Sequence, residues 1–507
     1  MLYSSLQYVV RHNGECSDVF RVAAGILTGD PASPILWLLF VSDFRLDPHP
    51  DDVDLAGTRV TNMELADDMT LVSTSALGAQ DKLNQFAEYA ADTFVLTNVS
   101  KTLALIFGLL PDPLPVLLLR GEPVTLLDSA RYTGVHCSTS NADIFAPHYV
   151  HKERAARSAA NSALSIESHI GTVPASTARA LYYAHVEPHL TYGCEVALDV
   201  RKSSLKALED LQRTFLRCTL GISSHSQVIP LFTETGVRPI RYRRMELALR
   251  YAKYVMSDGP VFLRLALQET AHIARNGQPS WWGDIQHALA ALPVPVNMDW
   301  QGGPTATVLD KAMADLSLSL SQYLWEGIMQ SLRLPLLQSR PAAPPVQASP
   351  TRLADLTAWR PYLDVLRAPH RVVVAQLLAS EHPLAVEVLR RAPYEVPRHR
   401  RICRFCKHQH CIEDEHHALF VCGHASLASI RGQFFDALHE QFQVNMTYLL
   451  RFSPMPIADI LHVLLKREDA LPLVAEYVHD VFHAVQLEPL LVLRSDEEWA
   501  QYATVHA

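Results

Sequence analysis

The sequence predicts an α+β protein whose strands gather in its first part and whose remainder is helical. Three observations carry this. Strand-like and helix-like patterns alternate over residues 1–115. From His148 onward apolar residues recur at three- and four-residue spacing. Toward the carboxyl end, after a Pro-rich stretch, cysteines and histidines crowd together as they do in a small metal module.

The elements follow in order. Gly25-Ile-Leu-Thr-Gly-Asp-Pro-Ala-Ser-Pro34 is a turn, and Pro31 and Pro34 suit a first helical turn, where a missing N–H costs nothing. The apolar run that follows, to Phe44, is expected as a buried helix. An acidic loop holds Asp47, Asp51, Asp52 and Asp54. Residues Thr58–Leu65 and Met69–Ser73 read as short strands around Ala66-Asp67-Asp68. Gln80–Thr93 reads as a helix and Thr102–Phe107 as a strand. Helices are expected at Ala155–Ile170, Ser176–His185 and Ser204–Leu220, the last with a stripe of Leu205, Leu208, Leu211 and Phe215.

The domain division expected from these patterns is 1–115, 116–260, 261–337, a low-complexity linker at 338–350, a helical segment 351–397, the cysteine-rich module 398–424 and a helical tail 425–507. The linker is the sharpest boundary. No internal repeat is visible.

Composition narrows the class. The 507 residues are 49% apolar and 19% charged, too apolar for a disordered chain. Net charge is −9, which excludes a surface coated with basic residues, so contact with nucleic acid must be local. Charged residues interrupt the first 25 positions at Arg11, Glu15, Asp18 and Arg21. The longest early apolar run, Pro34–Val41, is far short of the ~20 residues a spanning helix needs. A secreted or membrane-spanning protein is therefore not expected.

Three groups could carry chemistry. Asp67 and Asp68 sit in a tight turn between strands expected to be buried. Asp-Asp in a turn is commonly just a turn. Burial of two carboxylates, however, calls for a compensating cation, and hard oxygen ligands select Mg²⁺ or Mn²⁺. The second group lies in 403–422. Cys403 and Cys406 in C-x2-C spacing, a histidine and Cys422 suit a tetrahedral Zn²⁺ site, with His408, His410, Cys411 and His416 as alternates. Phe405 among Arg398, Arg400, Arg401, Arg404 and Lys407 suits single-stranded nucleic acid. The third group is Arg238-Pro-Ile-Arg241-Tyr-Arg243-Arg244, followed by Arg250 and Lys253. It suits phosphate, unless Glu234 and Glu246 pair with it.

The ordered set of motifs resembles the palm of a reverse transcriptase: the Gly-Pro turn entering an apolar helix, the Ala66-Asp67-Asp68 hairpin, a helix, and Asn98-Val-Ser-Lys101 before a strand. Downstream, Tyr132-Thr-Gly-Val135, Ala180-Leu-Tyr-Tyr-Ala-His-Val-Glu-Pro-His-Leu-Thr-Tyr-Gly193 and the cysteine cluster resemble the non-LTR (LINE-like) retrotransposon group. The resemblance implies a partial right-hand palm, a thumb-like helical region and a zinc module. It implies nucleotidyl transfer copying an RNA template onto a DNA primer from dNTPs, through two metal ions about 4 Å apart. Asp67 would be a Mg²⁺ ligand with Asp68 beside it, and Lys101 would lie near the triphosphate. Gly25, Gly29, Ser33, Pro34 and Asn98 would hold template and nucleotide. Arg241, Arg243 and Arg244 would touch the template. His417 would be the zinc-binding histidine with Cys403, Cys406 and Cys422. A nuclear location would follow from what such elements must reach.

The sequence also departs from the family. Another catalytic aspartate belongs on an earlier palm strand, yet the residues before Gly25 show no aromatic–Asp strand. Leu65 stands at a position usually aromatic, and Thr28 where glutamine is common. The expectation is a truncated copy without polymerase activity on its own. The alternatives are a non-catalytic, zinc-containing nucleic-acid-binding relic and a helical scaffold with a structural zinc. No endonuclease or RNase H motif is visible.

Overall fold

The computed structural model describes residues 7–21, 25–27, 29–299, 303–338, 340, 350–452 and 456–505. Thr28 and most of the expected linker lie outside the described residues. The chain forms two compact units. The first comprises Met1–Tyr132, Cys137–Ile144 and Pro260–Glu269; the second comprises Thr133–His136, Phe145–Gly259 and Thr270–Ala507.

In the first unit, helix α1 spans Ser33–Phe40, with Pro34 in its first turn. It is not the buried helix expected. Ser33 is its one buried residue, while Ile35 is 62%, Leu38 60% and Leu39 66% exposed. The core begins just beyond it, at Val41, Phe44 and Leu46, joined by Val60, Leu83, Ala90 and Leu119. An eight-residue helix that is apolar all round can bury only the face it turns toward neighbours.

Strands β1 (Val53–Leu55) and β2 (Thr58–Val60) form a hairpin closed by Ala56 and Gly57, both left-handed. The single strand expected over 58–65 is thus two. The chain breaks at Thr61, and β3 (Asn62–Leu65) pairs with β4 (Asp68–Leu71). Helix α2 (Ala76–Asp92) starts where Ser75 Oγ accepts from Gly78 N at 3.0 Å. Its Phe86 and Tyr89 rings pack on Phe44. Strand β5 (Leu103–Leu105) runs parallel to β6 (Thr125–Leu127). Among the described residues the strands pair two by two, and no sheet of three strands is present.

The second unit is helical. Its helices include α3 (Ala146–Ser165), α4 (Ala175–Leu181), α5 (Lys202–Leu220), α6 (Ile229–Thr235), α7 (Ile240–Ser257) and α8 (Ala306–Met329). The stripe of α5 is buried at Leu205, Leu208, Leu211 and Phe215, and the helix packs against α3 and α7. Left-handed Gly221 ends the helix. Farther on, α9 (Ala368–Leu378) and α10 (Ala425–Phe442) both pack on α11 (Leu471–Leu487), with the rings of Phe434 and Tyr477 parallel at 4.1 Å.

The sharpest boundary expected from sequence does not separate compact units. Residues on both flanks of 341–349 converge on Glu234 of α6, which is 1% exposed. Arg340 Nη1 lies 2.5 Å from Glu234 Oε1, and Tyr362 Oη donates to Oε2 at 3.1 Å. Arg360 N donates to Glu234 O at 3.3 Å and its Nε to Thr233 O at 2.9 Å. Burial pushes the Glu234 carboxyl up, but Arg340 and Arg360 outweigh it and hold the group below the usual carboxylate range. Among the described residues no helix is long and apolar enough to cross a membrane.

Candidate functional site

Asp67 and Asp68 occupy the tip of the β3–β4 hairpin, and both are exposed. The expectation that burial would force a cation upon them is corrected. β3 is exposed along most of its length and β4 is half-buried at best, because a two-stranded sheet has too few neighbours to cover its faces. Among the described residues no third carboxylate, histidine or cysteine joins them at metal-binding distance.

The hairpin is nonetheless firmly held. At its tip, the Trp37 indole of α1 donates to Ala66 O at 2.5 Å, and Ala66 is left-handed. At its base, Val72 N donates to Thr61 O at 3.1 Å. The ammonium of Lys82, from α2, donates to Thr61 O at 3.1 Å and to Val72 O. It also lies 2.5 Å from Asp52 Oδ1, with both side chains 0% exposed. Burial pushes the Asp52 carboxyl up, but the Lys82 hydrogen bond, helped by His49 N and Arg59, holds it below its ordinary range. Asp52, one of the four aspartates of the acidic loop, is the counter-charge of a buried staple. Sequence reading missed this pair because its members stand in different elements and share no local pattern.

The other residues of the expected polymerase site are placed as follows. Gly25 and Gly29 are exposed with φ of 104° and 88°, and at either position a Cβ would have no atom within 4 Å. Both therefore need glycine for conformation, and their backbone is open to approach. Ser33 does not face outward; it is buried and its hydroxyl donates to Leu27 O at 2.6 Å. Pro34 is exposed. Asn98 caps the short turn Val99–Lys101, its Oδ1 accepting from Lys101 N at 3.2 Å, and the Lys101 side chain belongs to an exposed residue.

In the second unit two resembling motifs meet. The Tyr192 hydroxyl donates to Thr133 O at 2.9 Å, and a Cβ on Gly134 would fall 2.2 Å from that hydroxyl oxygen. A Cβ on Gly193 would fall 2.9 Å from His148 Nε2. Burial lowers the His148 pKa to about 4, against the hydrogen bond to Tyr192 O, so the ring is neutral at neutral pH. Tyr182 and Leu190 are fully buried. Tyr182, Val186 and Leu190 of this stretch belong to the core, while Tyr183, His185 and Tyr192 are exposed.

The Arg241, Arg243 and Arg244 patch is also corrected. Arg244 is 3% exposed. Its Nε donates to both Asp199 oxygens at 2.9 and 3.0 Å, and its other nitrogens reach Leu190 O, Tyr149 Oη and Ala197 O. Arg241 pairs with Glu209 at 2.6 Å, and Arg243 with Glu187 and Glu246 at 3.2 Å each. Of the two carboxylates expected to compete for the patch, Glu246 does so and Glu234 pairs elsewhere. Because carboxylates of this chain already neutralise Arg243, Arg243→Gln is expected to leave the salt slope of oligonucleotide binding unchanged. A slope reduced by about 0.9 would show that it meets a phosphate.

The clearest cluster is Cys403, Cys406, His417 and Cys422, whose donor atoms all lie within 4.8 Å of one another. Cys403 Sγ and Cys422 Sγ are 3.8 Å apart, and Cys406 Sγ is 3.4 Å from His417 Nε2. Tetrahedral zinc with bonds of about 2.3 Å to sulfur separates two ligating sulfurs by about 3.8 Å. The donor set fits. The alternates stand outside it: His408, His410 and His416 do not belong to the group, and neither does Cys411. The hydrogen bond between Cys403 and Cys422 pulls the Cys422 thiol down and pushes the Cys403 thiol up.

The aromatic and basic residues around this cluster do not form a stacking surface. Phe405 is 7% exposed. Arg404 is buried; it grips Glu413 through Nε at 3.0 and 3.1 Å and reaches Val485 O, Glu488 O and Pro383 O. Arg401 donates to Val396 O and Val386 O. Arg398 pairs with Asp414 and Arg400 with Asp496. These charges clasp the module to its surroundings.

No established family profile matches the chain. It is similar to the "Probable RNA-directed DNA polymerase from transposon X-element" of Drosophila melanogaster, with 25% identity over 221 residues. That match covers 42% of this chain and 24% of the relative. The likeness is a distant relationship to a transposon reverse transcriptase. The matched stretch corresponds to about a quarter of that relative's length.

Proposed function

We propose that this chain is a reverse transcriptase-like protein of the non-LTR retrotransposon type, carrying part of a nucleotidyl-transfer site and a structural zinc module. The contact that best supports the reading is the Trp37–Ala66 hydrogen bond. It ties the helix that follows the Gly-Pro turn to the tip that bears Asp67 and Asp68, 29 residues away in sequence. The distant transposon relative supports the same class.

In this reading Asp67 and Asp68 bind a divalent cation, Mg²⁺ or Mn²⁺. The open backbone at Gly25 and Gly29, with Pro34, faces template and dNTP, and Lys101 supplies positive charge. RNA template and DNA primer are the partners. Zn²⁺ is held by Cys403, Cys406, His417 and Cys422. Two exposed carboxylates make one side of a two-metal cradle, and among the described residues no third metal-binding group joins them.

Primer extension on an RNA template in Mg²⁺ or Mn²⁺ tests this. The expected outcome is no templated synthesis by the chain alone. Robust synthesis that Asp67→Asn abolishes would show that a further carboxylate of this chain does join the site. The pairing of so many arginines with internal carboxylates favours a second reading, a zinc-stabilised scaffold without nucleic acid. Filter binding across a salt series separates the two, because phosphate contacts give a steep slope.

A further inference from the structure

The last described helix rests on the zinc module without entering a core. Helix α12 spans Asp496–Val505, and none of its described residues is buried. Its first turn is held locally. Ser495 Oγ accepts from Glu498 N at 3.0 Å, and Glu498 Oε2 accepts from Ser495 N at 3.1 Å. This reciprocal capping owes nothing to the module. The chain just before it is anchored. Leu490 and Val492 pack on Ala385, Leu389 and Val396, and Arg404 Nη1 donates to Glu488 O at 3.2 Å. Freeing α12 at Arg494 and Ser495 would leave that anchor in place.

Polar and aromatic contacts hold α12 on the module. Arg400 Nη2 pairs with Asp496, whose side chain is 89% exposed. The Trp499 indole meets the His399 ring edge to face, at 5.7 Å and 82°. Tyr502 Oη donates to Lys407 O at 2.5 Å. A carboxylate so exposed holds a guanidinium only weakly. Segments with few buried contacts open locally before the core does.

The covered face is cationic and aromatic. It offers the Arg400 guanidinium, the His399 ring and the exposed Lys407, with which no carboxylate pairs among the described residues. In return α12 supplies one carboxylate and two flat rings, Trp499 and Tyr502, which lie 6.3 Å apart at 21°. An anionic group accompanied by stacked rings is the pattern of a nucleotide strand, where phosphates meet cations and bases meet aromatic side chains.

We propose that the face formed by His399, Arg400 and Lys407 docks single-stranded nucleic acid, and that α12 occupies it as an internal mimic which the strand displaces. The identity of the partner rests on the proposed function; the occupied face does not.

Fluorescence anisotropy of the full, zinc-loaded chain with a single-stranded RNA of about 16 nucleotides tests this. In Asp496→Ser/Trp499→Ala, hydrogen exchange over 496–505 should accelerate while α11 keeps its protection and zinc stays bound. RNA affinity should then rise about tenfold, as release of a face that is open about a tenth of the time predicts. The salt slope should steepen by about 0.7 for each phosphate newly met. Adding Arg400→Gln should cancel most of the gain. Glu497→Ser removes a neighbouring charge that is exposed and bonds to no residue of the module, and it should change affinity little. The proposal is overturned if exchange in α12 does not respond, if α12 opens and affinity stays level, if the gain survives Arg400→Gln, or if Glu497→Ser gives the same gain. An acidic peptide that profits from the opened face while RNA does not would also overturn it. Equal RNA binding by both forms would remove the mimic and leave the nucleic-acid partner standing, whereas no binding by either form would remove the partner as well.

Discussion

Lys82→Met is expected to destabilise the β3–β4 hairpin and its support by about 3–5 kcal/mol, the usual cost of breaking a buried pair by removing one partner. Methionine fills the space of the lysine stem but leaves the Asp52 carboxylate buried without its counter-charge. It also removes the donor to Thr61 O and Val72 O. Hydrogen exchange over residues 61–72 of the full chain reads the effect locally. Protection there should fall by about two to three powers of ten or more, at about 1.4 kcal/mol per tenfold, while α5 and α7 in the second unit keep theirs. The double variant Lys82→Met/Asp52→Leu should recover much of the loss, since an apolar pair of similar volume is commonly as stable as the ion pair it replaces.

The sign of the pH effect follows from Asp52. Its carboxyl is held below its ordinary value in the folded chain. The pair therefore stabilises fully above about pH 4, the ordinary aspartate range, and loses that stabilisation as pH falls through the depressed folded value. In Lys82→Met the orphaned carboxyl moves the other way, so the penalty of the substitution should shrink on acidification. Exchange rates that Lys82→Met leaves unchanged would show that the hairpin base does not depend on this ammonium.

What the sequence reveals and what it conceals divide along one physical line. Periodic burial is local and legible: the stripe Leu205, Leu208, Leu211 and Phe215 is buried as its spacing demands. The cysteine cluster is legible for the same reason, because two thiols in C-x2-C spacing must share a tight turn. Charge pairing is not local. Arg340 meets Glu234 across 106 residues and Arg244 meets Asp199 across 45, so an arginine-rich stretch cannot reveal from its own composition that it is neutralised. Burial of a strand is equally non-local. Asn62–Leu65 reads as a covered strand in sequence, but whether it is covered depends on how many strands join its sheet. The helix Ser33–Phe40 departs from expectation in the same way, with the apolar run correct and its surroundings invisible.

Zinc removal is expected to have the largest effect on the second unit. The purified chain should carry one zinc per polypeptide. Cys403→Ser and Cys422→Ser should each abolish its retention, because both cysteines are fully buried and their sulfurs are 3.8 Å apart, a separation that suits two thiolates only with a cation between them. Zinc-finger peptides bind zinc with an apparent free energy of about 10–16 kcal/mol, and that energy is folding energy. Here the clasp of Arg404 on Glu413, reaching Val485 O and Glu488 O, ties the module to α11 independently of metal. A chelator should therefore release protection first in 403–422, and only then in α11. Acidification should favour loss of zinc, since the thiolates and the neutral imidazole must take up protons to let it go. Two substitutions make the ligand assignment falsifiable. His417→Ala should lower zinc retention sharply, whereas His416→Ala and Cys411→Ser should leave it at one equivalent. Zinc lost with His416→Ala and kept with His417→Ala would place the fourth ligand on the neighbouring histidine and refute the tetrahedron described for this chain.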